Sequence, residues 1–201
     1  MNKVFFFGLG VMLTLGTNTS SAKARFYTLR DVYCSVENVC RLKAGDMPLN
    51  GELRTYYADG TLRSAEEYRN GVRDGKYNHF SGRGKLLKSA YYRDGKENGN
   101  VKTFYESGNL KKEYEKTDGV LNGKLRTYYQ NGQIRLENEY RDGKKDGTEN
   151  AYYENSKIKY RVNFVKGTPV SGYCFAIDGQ KRNFLNGFEM FLNSGQTPCA
   201  E

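Results

Sequence analysis

Glycines recur at a fixed interval of 24 residues, at Gly51, Gly75, Gly99, Gly123 and Gly147. A second series stands nine residues further on, at Gly60, Gly84, Gly108 and Gly132, and gives way to Ser156 in its fifth place. A third runs through Gly71, Gly95, Gly119, Gly143 and Gly167. Three phased series define a tandem array, whose units bury surface only against their neighbours. Many of these glycines follow Asn or Asp, as in Asp59-Gly60, Asn70-Gly71, Asn131-Gly132 and Asp142-Gly143. Such dipeptides supply the positive φ that tight hairpins need. The segments between them, such as 52–58 and 61–69, are rich in Tyr, Leu, Thr and Arg. They read as two strands per unit in a continuous meander. The expected fold class is all-β: an elongated single-layer antiparallel sheet of tandem 24-residue β-hairpin repeats with disulfide-stapled caps.

Alternation along a strand assigns two faces. A turn at Asp59-Gly60 sets Tyr57 against Leu62 and Tyr56 against Arg63, and the period carries this along the chain. One face is then expected to hold Leu53, Tyr57, Leu62 and Tyr68, with counterparts Val101, Tyr105, Leu110, Leu125, Tyr129, Ile134, Tyr140, Tyr153, Ile158 and Phe164, and to be the buried side. The other carries a column of Tyr56, Phe80, Phe104, Tyr128 and Tyr152 beside Arg54, Lys102 and Arg126. Arg63, Lys111, Arg135 and Lys159 are expected opposite that column, with an acidic row of Glu67, Glu115 and Glu139. Rings flanked by cations either cover one another through cation-π contacts or present a partner-binding surface. The binding candidates are therefore Arg54, Tyr56, Phe80, Lys102, Phe104, Arg126, Tyr128 and Tyr152.

The run Asn-Gly-x-Leu-Arg-Thr-Tyr-Tyr-x-Asp-Gly-x-Leu-x-x-Glu-x-x-Tyr-x-Asn-Gly at 50–71, nearly repeated at 122–143, resembles the MORN-variant repeat. The whole array is similar to the bacterial YwqK-type antitoxin family. That resemblance implies a twisted hairpin sheet used for protein contacts and, for the members named antitoxins, neutralisation of a toxin. The chain departs from the pattern at Ser81, at Lys116 and at Asn155-Ser156.

The ends lack the period. Met1-Asn2-Lys3, an apolar stretch over 4–15 and Ala22-Lys23-Ala24 fit a secretory signal peptide cleaved after Ala24. Its loss takes the net charge from +9 to +7, because Lys3 and Lys23 leave with it. The domains are then a signal peptide at 1–24, an N-terminal cap at 25–49, five repeats at 50–170, and a degenerate repeat with a C-terminal cap at 171–201. Export to the periplasm or exterior permits disulfides among Cys34, Cys40, Cys174 and Cys199. Four cysteines allow three pairings, of which Cys34 with Cys40 and Cys174 with Cys199 is preferred. Their spacings lack the close Cys-x-x-Cys pairs of a zinc site.

No catalytic residue, metal or cofactor is assigned. His79, the one histidine, falls where other units have Thr55, Thr103, Thr127 and Ala151. The acids Glu66-Glu67 and Glu137/Glu139 fall on solvated strands, and no Gly-rich loop leads into a helix. The expectation is a non-enzymatic exported binding module whose partner is an unidentified protein, with a toxin as one version. The alternative is attachment to an anionic lipid or envelope surface, favoured by the basic charge. Nucleic acid is disfavoured by export and by the interleaved glutamates.

Overall fold

The computed structural model describes residues 26–176 and 178–183. The expected signal peptide, Cys199 and most of the expected C-terminal cap lie outside the described residues. Seventeen strands follow in order: β1 (Phe26–Tyr27), β2 (Val32–Cys34), β3 (Cys40–Leu42), β4 (Gly51–Tyr56), β5 (Leu62–Arg69), β6 (Val72–Phe80), β7 (Leu86–Arg93), β8 (Lys96–Glu97), β9 (Gly99–Phe104), β10 (Leu110–Thr117), β11 (Val120–Tyr128), β12 (Ile134–Arg141), β13 (Lys144–Lys145), β14 (Gly147–Tyr152), β15 (Ile158–Val165), β16 (Thr168–Phe175) and β17 (Lys181–Asn183). Fifteen form one sheet, an antiparallel meander from β4 to β17 with β1 added parallel to β4. β2 and β3 make a separate hairpin, closed by the Cys34–Cys40 disulfide. Cys174 is also disulfide-bonded.

Two turn types alternate along the two margins of the sheet. On one margin Asn70, Asp94, Asp118 and Asp142 each adopt φ near 50°, followed by a glycine also at positive φ. This is the type I′ geometry, whose twist matches the flanking strands. Each of these glycines also donates its N–H to a carbonyl of the preceding unit, as Gly95 does to Arg73 at 2.8 Å and Gly143 to Leu121 at 2.9 Å. On the other margin Tyr57 N–H donates to the Thr61 carbonyl across a loop of Ala58, Asp59 and Gly60, with Gly60 at φ 86°. The same loop recurs at Gly84, Gly108, Gly132 and Ser156, and at Gly179 in a sixth hairpin.

After this second turn each of the first five hairpins carries a bulge, whereas β16 and β17 pair without one. Tyr56 pairs with Leu62, yet Thr55 pairs with Ser64, so Arg63 is the extra residue. Leu87, Lys111, Arg135 and Lys159 occupy the same place in the later hairpins. The bulge corrects the expected faces, because an extra residue reverses the alternation beyond it. Leu62, Leu110, Ile134 and Ile158 pair with the Tyr56 column instead of lying with Tyr57. The bulged cations turn to the tyrosines of the opposite face: Arg63 lies 5.9 Å from the Tyr57 ring centre, and Lys111 and Lys159 lie 5.5 Å from Tyr105 and Tyr153.

The Tyr57 face is the buried side, as expected, with Leu53, Tyr68, Ala90, Val101, Leu125, Tyr160 and Phe164 all buried on it, and it gathers compact clusters at its two ends. Near the start, Leu49, Leu53 and Tyr68 bury against Val32 and Cys40 of the disulfide hairpin. Near the other end, Ala151, Tyr160, Val162, Phe164 and Cys174 form a second core. Between them the face is a layer of tyrosines and paired charges. Arg73 ion-pairs with Glu66 at 2.5 Å and lies over the rings of Tyr68, Tyr77 and Tyr92. Glu97 holds Lys88 at 2.6 Å and Lys116 at 2.9 Å. These pairs cover small buried residues such as Ala90 and Val101, which suits a sheet too thin to have a second layer.

Candidate binding surfaces

The Tyr56 face is built hairpin by hairpin. Tyr56, Phe80, Phe104, Tyr128 and Tyr152 pair in register with Leu62, Leu86, Leu110, Ile134 and Ile158, giving an aromatic–aliphatic stripe across the five hairpins. Tyr56 is 46% exposed and the other four rings are half-buried. Arg54 and Arg126 stand beside the stripe, but both are engaged. Arg54 bonds Glu52 at 2.5 Å and lies 3.7 Å from the centre of the Phe26 ring. Arg126 bonds Glu137 at 2.6 Å, while Lys124 reaches Glu137 at 3.2 Å. The Tyr128 hydroxyl donates to Glu113 at 2.5 Å. Burial and that carboxylate push the Tyr128 phenol up to about 12. Lys102 makes no ion pair among the described residues. A hollow beside Arg54 and Tyr56 is lined by Thr28, Leu29 and Arg30. The candidates thus share one face, with the Arg126–Tyr128 pair locked and Tyr56 and Lys102 open.

In the acidic row expected on this face, Glu67 is spent on the backbone. Glu67 accepts the Lys76 N–H at 2.8 Å, and a Cβ on Gly75 would meet its carboxylate at 2.1 Å. Glu139 stands over Gly147 in the same way, at 2.2 Å. The adjacent acids do not act as a pair either, since Glu66 serves Arg73 and the Tyr68 hydroxyl on the opposite face. Burial raises the Glu137 pKa, but bonds to Arg126 and Lys124 outweigh it and hold the carboxyl below its ordinary range.

On the Tyr57 face four of the five repeat hairpins are fastened to the next by a phenol. The Tyr57 hydroxyl donates to the Phe80 carbonyl at 2.8 Å, Tyr105 to Tyr128 at 2.6 Å, Tyr129 to Tyr152 at 2.7 Å and Tyr153 to Phe175 at 3.2 Å. Ser81 takes the tyrosine's place in the second hairpin, and its hydroxyl accepts instead from Arg83 and Lys85 within its own turn. Leu87 there replaces the bulged cation. A row missed by the sequence reading crosses this face: His79 pairs with Lys88, Lys88 with Thr103, and Thr103 with Lys112. Its only signal was the change of residue type at one position of the period, from Ser64 to Lys88, Lys112, Leu136 and Tyr160.

None of the curated proteins matches the chain. Among solved structures it is similar to a mutant TarM of S. aureus in complex with Fondaparinux, alpha-GlcNAc-glycerol and UDP, at 9% identity over 47% of this chain, with a TM-score of 0.33. It is also similar to a GtfA/B complex bound to UDP and GlcNAc, at 12% identity over 62% of this chain, with a TM-score of 0.22. The chain spans about a fifth of the length of these proteins, 19% and 22% respectively. The family described as MORN repeat variant matches residues 49–70, 97–115, 121–142 and 145–166. The β6–β7 hairpin between the first two matches has the same bulge and turn. This chain therefore carries MORN-variant repeats across residues 49–166.

Proposed function

We propose that the protein is a non-enzymatic exported binding module, contacting another protein along the stripe of Tyr56, Phe80, Phe104, Tyr128 and Tyr152. The observation that carries this reading is the stripe itself: register-matched rings and aliphatic side chains, half-exposed and repeated across five hairpins. Amphipathic rings at low entropic cost favour protein contacts. Repeat sheets offer such surfaces without a deep pocket. Export is supported by the leader-like first 24 residues and by the Cys34–Cys40 disulfide, which an oxidising compartment preserves. An antitoxin or immunity role is the specific version of this reading, with a secreted toxin as partner.

The test uses the disulfide-intact chain as bait against native envelope and secreted fractions, in parallel with a Tyr56→Ala/Lys102→Glu variant. These two positions are open, so the variant leaves the fold intact. The reading expects one protein retained at moderate salt by the wild type and lost by the variant, and that protein is then assayed for toxicity. Retention of only lipid or mixed acidic material, released on adding salt, contradicts it and favours an anionic surface.

A further inference from the structure

Both faces carry paired charges together with a lysine that makes no ion pair among the described residues, Lys102 on the Tyr56 face and Lys112 on the Tyr57 face. On the Tyr56 face, Arg54, Lys124 and Arg126 each meet a glutamate. In the middle of the Tyr57 face, Glu97 is shared between Lys88 and Lys116, and Lys112 has no carboxylate partner among the described residues. Lys112 lies instead 4.9 Å from the Tyr114 ring centre. Cation-π contact leaves an ammonium able to accept an anion from above. Lys88 and Lys112 stand on either side of Thr103 in one row, with His79 next to Lys88. Strand spacing places the two lysine positions about 10 Å apart with a hydroxyl between them. The four residues of the row are half-buried, and the row lies between the disulfide hairpin that covers the start of this face and the core at its far end.

We propose that the row of His79, Lys88, Thr103 and Lys112 is a second binding surface, and that it takes an acidic polypeptide segment carrying aromatic or aliphatic side chains between its carboxylates. It is distinct from the stripe on the opposite face. The chemistry of the partner follows from what surrounds the row. Carboxylates answer Lys112 and the half-neutralised Lys88, and the hydroxyl of Thr103 can donate to the same group. Tyr77, Tyr92 and Tyr114 flank the row and want apolar cover. Glu66 and Glu97, set in the same layer, repel the dense uniform charge of a nucleic acid or an anionic membrane but tolerate spaced carboxylates.

The experiment measures binding of a fluorescent random Glu-Tyr copolymer to the full, disulfide-intact chain. Phosphatidylglycerol vesicles and oligothymidylate are measured alongside. Lys112→Glu and Thr103→Val should each weaken copolymer binding, the first by about tenfold or more, the scale of one charge-assisted contact. Lys166→Glu, the same charge change at an exposed turn outside both surfaces, should leave it unchanged. Melting curves matching the wild type establish that Lys112→Glu and Thr103→Val still fold, and Lys112→Ala provides a milder variant with the same expected direction. The proposal is overturned by no copolymer binding, by equal losses at Lys112 and Lys166, or by tighter binding of vesicles or oligothymidylate with the same dependence on Lys112.

Discussion

The seams β7/β9 and β12/β14 are nearly the same joint made twice. Each has two direct register pairs, Lys88–Thr103 and Ser89–Lys102 in one, Leu136–Ala151 and Glu137–Asn150 in the other. Each continues through a short strand, β8 or β13. They differ in the phenol: Tyr129 fastens the second seam to the Tyr152 carbonyl, whereas Ser81 leaves the first without that bond. The bulged cation goes with the ring, since Arg135 belongs to the Tyr129 hairpin and Leu87 to the Ser81 hairpin. In the hairpins of Tyr57, Tyr105 and Tyr153 the cation lies 5.5–5.9 Å from the centre of the ring whose hydroxyl holds the next unit, so cation and tyrosine act as one device. In a one-dimensional array each seam contributes its own term to stability, so the joint lacking this device is the place to expect opening.

The largest way to disturb a joint between hairpins is through the glycines under the glutamates, Gly147 in the β12/β14 seam and Gly75 between β5 and β6. Gly75→Ala or Gly147→Ala adds a Cβ where the Glu67 or Glu139 carboxylate sits, at φ 123° or 122°. Each should cost about 2–4 kcal/mol, combining backbone strain with a displaced carboxylate. Thermal melting checks this, and an unchanged midpoint contradicts the packing described. Next, Tyr129→Phe removes the hydroxyl donor and leaves the Tyr152 carbonyl without it, for about 1–2 kcal/mol. The change should make the β12/β14 seam behave like β7/β9 in hydrogen exchange.

The reverse substitution sharpens the comparison. Ser81→Tyr with Leu87→Arg should rebuild the device and raise stability by about 1 kcal/mol, the net worth of one hydrogen bond. Loss of stability would mean that the second hairpin lacks room for the ring. Arg63→Ala should cost about 0.5–1 kcal/mol, the scale of an exposed cation-π contact, and is measured by denaturant midpoint.

Acid should act on the unfastened seam. Burial raises the Glu97 pKa, but bonds from Lys88 and Lys116 outweigh it and lower the carboxyl from its ordinary value of 4.5. A lowered folded pKa gives stability that is complete above about pH 5 and disappears as pH falls through the folded value. Glu97→Gln should flatten that acid limb, and an unaltered pH–stability profile would contradict the ion-pair assignment.

Much of this array was legible in the sequence because its turns demand glycine. Positive φ at Gly60, Gly71 and their repeats is a backbone requirement that few other residues meet, so the period survives in the sequence. The Cys34–Cys40 staple and the Tyr56 column were legible for similar reasons of spacing and alternation. The bulge was not, because an extra residue leaves no residue type of its own. Reading straight through Arg63 placed its charge on the wrong face. The paired change at Ser81 and Leu87 was the clue that ring and cation act together. The polar middle of the Tyr57 face was hidden as well, since Lys88 and Lys112 sit where other units have Ser64 or Leu136.

Native-state hydrogen exchange, read seam by seam, tests the fastening most directly. The ladder amides joining β7 to β9 should exchange faster than those joining β12 to β14, by about five- to tenfold, the factor for about 1 kcal/mol or slightly more. Tyr129→Phe should erase the difference. Equal protection at the two seams in the wild type, or an undiminished difference in the variant, would contradict the claim that the tyrosine hydroxyls fasten the repeats.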